Sequence, residues 1–240
     1  MNCPESYIKN LYKTLWSTSD APVEGVTPFA QQPEHTIWTF QAELREIQDA
    51  LSPRGPESLA ALEHALSIGR AWWEQCGLTL FRQGVRVSRL PLSYLRETVG
   101  VSSYEDCGLL SLSFLSNERQ LDYIPPFADL LHEEALPCRR LHADLLEAQE
   151  DLCELPDAHW DEDDVSEFYC AQLGMCQACS EEMYAYGLQY GRKKEPYTDP
   201  RKAEAFRGFL ISAKKSPFCM FRPECHTKGA FYRAGEPPRP

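Results

Sequence analysis

The sequence predicts a mostly α protein, α+β only through one small β-hairpin, with a helical body followed by a Cys/His-bearing helical module. Three observations lead there. Apolar residues recur at helical spacing in one segment after another. Prolines and glycines cut those segments into short pieces, and residues 78–90 alternate with period two. The expected organisation is an N-terminal helix and linker over 1–33, a helical body over 34–165, and a Cys/His-rich, basic-aromatic module with a loose tail over 166–240. At 240 residues, with 43% hydrophobic and 25% charged side chains, the chain is long and apolar enough to bury a core without staples.

Residues 5–17 predict an amphipathic helix, because Tyr7, Ile8, Leu11, Tyr12, Leu15 and Trp16 share one face. Pro22, Pro28 and Pro33 mark the following stretch as a loop, which leaves that helix as a separate arm or a docked one. A second helix is expected over about 36–51, ended by Ser52-Pro53-Arg54-Gly55-Pro56, and a third over 57–76, stopped by Gly77. Leu78-Thr79-Leu80-Phe81 and Val85-Arg86-Val87 around Gly84 predict the hairpin. Pro91 then starts a short helix that Gly100 ends, and Ser103 caps another, although the alternation Leu110-Ser111-Leu112-Ser113-Phe114 fits a strand equally well. Helices are further expected at 127–136 and 137–155, divided by Pro137, and at 165–173, 180–190 and 198–213.

The formal net charge of −12 is unevenly spread. Residues 191–240 hold twelve Lys/Arg against five Asp/Glu, a net +7, which leaves −19 for residues 1–190. An acidic body with a basic end suits either a polyanionic partner or a basic end folded back on the body. The N-terminus lacks a basic and then apolar leader, and no apolar run reaches the length of a membrane span. The expectation is therefore an intracellular protein, cytoplasmic or nuclear, with no membrane partner. Its ten cysteines would then be reduced thiols rather than a disulfide framework. Cys3, Cys76, Cys107, Cys138 and Cys153 lie far apart and read as small buried apolar residues.

Chemistry concentrates in the last quarter. Cys176 and Cys179 have the spacing of a thiolate pair placed at a helix start, and Cys219 with Cys225 or His226 would complete a tetrahedral zinc site, Cys170 standing in reserve. Zinc there would be structural. The competing reading is a set of buried thiols. Tyr184, Tyr186, Tyr190, Arg192, Lys193, Lys194 and Tyr197 interleave rings with cations, and Arg222, Lys228 and Arg233 do so again beside Phe221, Phe231 and Tyr232. Rings stack on bases while cations neutralise phosphate, which suits single-stranded nucleic acid. The same pattern also describes core tyrosines with a solvated rim.

Catalytic signatures are missing from the sequence. His132-Glu133 has Leu136 where a second zinc-binding histidine belongs, and no GxSxG, P-loop or GxGxxG occurs. His142 would approach His132 if separate helices paired. The residues thus point to a regulatory or adaptor protein that binds a macromolecule, either a protein or a single-stranded nucleic acid. Alternatives are a host-manipulating accessory factor working through protein contacts and an enzyme using a Cys/His site in the helical body.

Overall fold

The computed structural model describes residues 4–17, 23, 25–51, 56–108, 127–155 and 162–193. Met1–Thr198 form one compact unit; Asp199–Pro240 form a second, which lies outside the described residues together with the helix expected at 198–213. The architecture is mostly α, and no strand occurs among the described residues. None of these helices is long and apolar enough to cross a membrane.

The helices are α1 (Glu5–Leu15), α2 (Ile37–Leu51), α3 (Pro56–Val87), α4 (Leu92–Val99), α5 (Phe127–Glu154) and α6 (Glu162–Lys193), with a 3₁₀ turn at Phe29–Gln31. The centre is α3. It runs parallel to α6: Gly69 lies opposite Gln172, Gly84 opposite Tyr184 and Leu188, and Gly191 opposite Val85 and Ser88. On another side α5 runs antiparallel to α3, with Trp72 against His142 and Thr79 against Cys138. In turn α2 packs antiparallel on α6, its Phe40 ring covering Gly174.

The apolar face expected for α1 is the one it buries: Ile8, Leu11, Tyr12 and Leu15 are in the core. The helix is docked, not free, since the Tyr7 ring packs on Phe81 and Tyr190 at centroid distances of 6.4 and 5.5 Å. The chain after it is tied down by Phe29, whose ring meets Trp16 edge-on and His35 at a tilt, and by Tyr186, whose hydroxyl accepts a hydrogen bond from the Thr27 amide at 2.9 Å. Two local signals behave as their chemistry demands. Gly100 ends α4 in the left-handed conformation (φ 75°), its N–H donating to the Arg96 carbonyl. Ser103 and Asp106 form a reciprocal cap: Asp106 Oδ2 accepts from the Ser103 amide at 2.8 Å, and Ser103 Oγ accepts from the Asp106 amide at 3.2 Å.

The hairpin expected at 78–90 is replaced by helix, because α3 continues unbroken through Gly77 and Gly84 to Val87. The reason is all-round burial. Residues 76 to 81, 83 to 85, and 87 are all buried, so the sequence loses the polar stripe that reveals a helix and leaves an apparent alternation. Each glycine costs a helix interior about 1 kcal/mol relative to alanine. Fully burying side chains such as Trp72, Leu80 and Phe81 contributes about 1.5–3 kcal/mol apiece, so packing wins.

The same balance corrects two other divisions. Pro137 lies inside α5 instead of separating two helices, with Ala135 and Cys138 fully buried on either side of it. His132 and His142 therefore belong to one helix and not to a facing pair. Likewise α6 is a single helix through Gly174, Cys176 and Cys179, where the sequence predicts two shorter ones. The Cys176/Cys179 pair thus sits mid-helix, where the backbone amides are engaged in the helical ladder and offer no end-of-helix stabilisation to a thiolate.

Candidate functional site

Two places in the described residues combine chemistry-bearing side chains: a thiol cluster where α3, α5 and α6 meet, and the basic end of α6.

The cluster is built by helical spacing. Along α3, Trp72, Cys76, Thr79 and Gln83 follow one another at steps of three or four residues and share a face, all buried. Cys138 and His142, one turn apart on α5, meet that face, and Cys176 joins from α6. The Thr79 hydroxyl lies 3.5 Å from Cys138 Sγ, and the Cys76 thiol neighbours those of Cys138 and Cys176. Cys76, Cys138, Cys176 and Cys179 have no exposed surface. Burial, followed by the neighbouring thiols, pushes Cys76 well above the usual thiol range. Cys138 is held below that range, first by the hydrogen bond from Cys76 and, against its own burial, by Thr79 and the nearby Arg139 charge. Cys179, next to the buried Tyr12, is pushed up mainly by burial.

One turn along α5, His142 Nε2 lies 3.0 Å from the Tyr169 hydroxyl, and its ring lies 4.9 Å from that of Trp72. Burial holds its pKa below the ordinary imidazole value and so favours the neutral ring, whose tautomer decides which of the two groups donates.

At the other end of α6 the side chains separate by role. Tyr184 is buried and donates to the Tyr104 carbonyl at 2.6 Å, while the Tyr190 ring packs against Tyr7 and Phe81. Gly191 lies against Val85 and Ser88 of the α3 end. Arg192 and Lys193 then emerge exposed in the last turn, the Arg192 guanidinium 5.1 Å above the Tyr104 ring.

Of the expected zinc ligands, Cys176 and Cys179 are buried in the core, and Cys170 is exposed. Cys219, Cys225 and His226 lie outside the described residues, as do Lys194, Arg222, Lys228 and Arg233 of the expected nucleic-acid set. Among the described residues no group of three or more His, Cys, Asp or Glu is arranged to hold a metal ion. Cys76 and Cys107, read from sequence as buried small residues, are buried, but Cys153 is exposed. The sequence does not anticipate the meeting of the Cys76, Cys138 and Cys176 thiols. Its one signal is weak: Cys76 and Thr79 fall on the same helical stripe as Trp72. No protein-family model matches this chain, and neither a curated protein nor a solved structure matches it.

Proposed function

We propose that this chain is a regulatory or adaptor protein that binds single-stranded nucleic acid through the basic end of α6 and the residues following it. The observation that supports this reading is the rigid presentation of Arg192 and Lys193. The residues before them are fixed against α1 and α3, so two exposed cations stand on an ordered platform and open a stretch of net charge +7. The remaining −19 lies in residues 1–190 and would keep a polyanion confined to that end. Intracellular placement, cytoplasmic or nuclear, belongs to the same reading.

The test is fluorescence anisotropy with a labelled single-stranded oligouridine across 50–200 mM salt. Affinity should fall steeply as salt rises, and the triple variant Arg192→Ala, Lys193→Ala, Lys194→Ala should flatten the log–log slope by about 0.7 for each phosphate that is no longer neutralised. Binding that ignores salt, or no binding, removes the nucleic-acid reading and leaves a protein partner. A structural zinc in residues 166–240 is the second part of the proposal. It requires both Cys176 and Cys179 to leave their buried positions to join Cys219 and either Cys225 or His226. Metal analysis of protein purified without chelator should return about one zinc per chain on that reading. A metal-free, folded chain would dispose of it.

A further inference from the structure

We infer that Arg192, seated on the Tyr104 ring, is a stacking platform for one nucleobase of a single strand, with Lys193 taking the adjoining phosphate; this deepens the nucleic-acid reading above and rests on it.

The platform is assembled by the fold itself. Tyr104 is held from two sides: its hydroxyl donates to the Leu90 carbonyl just past α3 at 2.9 Å, and its own carbonyl accepts from the Tyr184 hydroxyl of α6 at 2.6 Å. Gly191 sets the last turn of α6 directly against Val85 and Ser88 at the end of α3, which fixes the point from which residue 192 departs. From there the Arg192 guanidinium lies 5.1 Å above the centre of the Tyr104 ring. The ring covers one side of the guanidinium, and Arg192 is otherwise exposed. The open side is planar and cationic, and bases stack on guanidinium planes as they do on aromatic rings. Complementing the C-terminal dipole of α6 would take any cation; a ring fixed beneath the guanidinium is more than that role needs.

The second half of the site follows from helical geometry. Consecutive residues project about 100° apart around a helix, so Lys193 leaves α6 on a different side from Arg192. Its Nζ lies 3.8 Å from where a Cβ would stand on Gly25, and the residue is exposed. Among the described residues, neither Arg192 nor Lys193 is within ion-pair distance of a carboxylate. Asp106 is turned inward onto the Ser102 and Ser103 amides at 3.0 and 2.8 Å, whereas Glu105, next to Tyr104, is exposed and repels phosphate there. The phosphate therefore belongs on the Lys193 side and the uncharged base on the Arg192 side. A strand crossing the end of α6 meets both in succession.

The experiment measures fluorescence anisotropy of the full chain with two labelled probes of equal length and charge, oligouridine and an abasic sugar-phosphate oligomer, across 50–200 mM salt. Wild type should bind oligouridine about 5-fold or more tightly than the abasic probe, with the same salt slope for both. Arg192→Lys keeps the charge and loses the plane, so the slope should hold while affinity for oligouridine falls to that for the abasic probe. Lys193→Ala should weaken both probes alike and reduce the slope by about 0.7. Equal wild-type affinity for the two probes with the salt slope intact overturns the platform alone and leaves the phosphate-binding reading standing. Equal weakening of both probes by Arg192→Lys also overturns it, since Arg192 would then act through structure rather than stacking. Loss of salt-dependent binding to either probe overturns both readings together.

Discussion

Helix α3 meets its two main neighbours in opposite ways. Toward α6 it offers glycine, and backbone approaches backbone. A Cβ at Gly84 would collide with the Tyr184 carbonyl and lie 3.0 Å from the Leu188 amide nitrogen, and a Cβ at Gly187 would collide with the Phe81 carbonyl. Toward α5 it offers functional groups: the Trp72 indole, the Cys76 thiol, the Thr79 hydroxyl and the Gln83 amide. The first seam is held by shape, the second by a set of polar groups that is incompletely paired, since Trp72 Nε1 and both amide atoms of Gln83 are buried without partners. Close backbone packing tolerates almost no change in volume, whereas a polar interior tolerates volume and is sensitive to pairing.

The largest expected effect breaks the glycine seam. Gly187→Ala and Gly84→Ala each add one methyl to a helix and would gain about 1 kcal/mol if the glycines were incidental. The close approach of the two backbones reverses that sign. Each variant should lose about 2–4 kcal/mol in urea unfolding, as neighbouring backbone is forced to move. Gly77→Ala is the graded control, because its new methyl would meet only side-chain atoms, Met183 Cγ at 3.2 Å and the Tyr12 ring at 3.3 Å. If all three variants stabilise the protein alike, the α3/α6 seam is not close-packed.

Those glycines also explain which parts of the fold are legible in the sequence. Helices α1, α2 and α4 keep an exposed face, so the periodicity of Ile8, Leu11, Tyr12 and Leu15, or the stop at Gly100, reads directly. Buried on several sides, α3 shows no polar stripe. Its Gly77 and Gly84 resemble a helix stop and a hairpin turn because glycine has the same letter whether it supplies a left-handed φ or merely the absence of a Cβ. Long α6 reads as two helices for similar reasons, and Pro137 divides α5 on paper by a rule that tertiary burial overrides. The thiol cluster is illegible on other grounds. Cys76, Cys138 and Cys176 follow no motif spacing, and only the juxtaposition of α3, α5 and α6 brings them together. The exposed position of Arg192 and Lys193, by contrast, agrees with the simple rule that cations gather in a last helical turn.

The next effect sharpens the polar seam. Gln83 is fully buried, and neither its Nε2 nor its Oε1 has a partner. Methionine has a similar shape without the amide, so Gln83→Met should stabilise the chain by about 1 kcal/mol, read as a higher urea midpoint at unchanged slope. A loss of stability would show that the amide is paired in solution and that the seam is better satisfied than its static geometry suggests.

The smallest effect lies in the pH dependence of the same seam. His142 is held below its ordinary value by burial beside Trp72, with the Tyr169 hydroxyl on Nε2. At neutral pH both folded and unfolded chains carry it uncharged, and its contribution is intact. As pH falls through about 6.5 the unfolded chain takes up a proton that the folded chain resists, so stability drops from there downward until the folded imidazole also protonates. The difference in unfolding free energy between wild type and His142→Phe, measured from pH 8 to pH 5, should therefore be flat above pH 7 and shift in favour of the variant below it. Subtracting the variant removes the slopes contributed by other groups, including the surface carboxylates. A difference that stayed constant across the range would mean that His142 is as free to protonate in the folded chain as in the unfolded one. The α3/α5 seam would then have to be open enough to admit water.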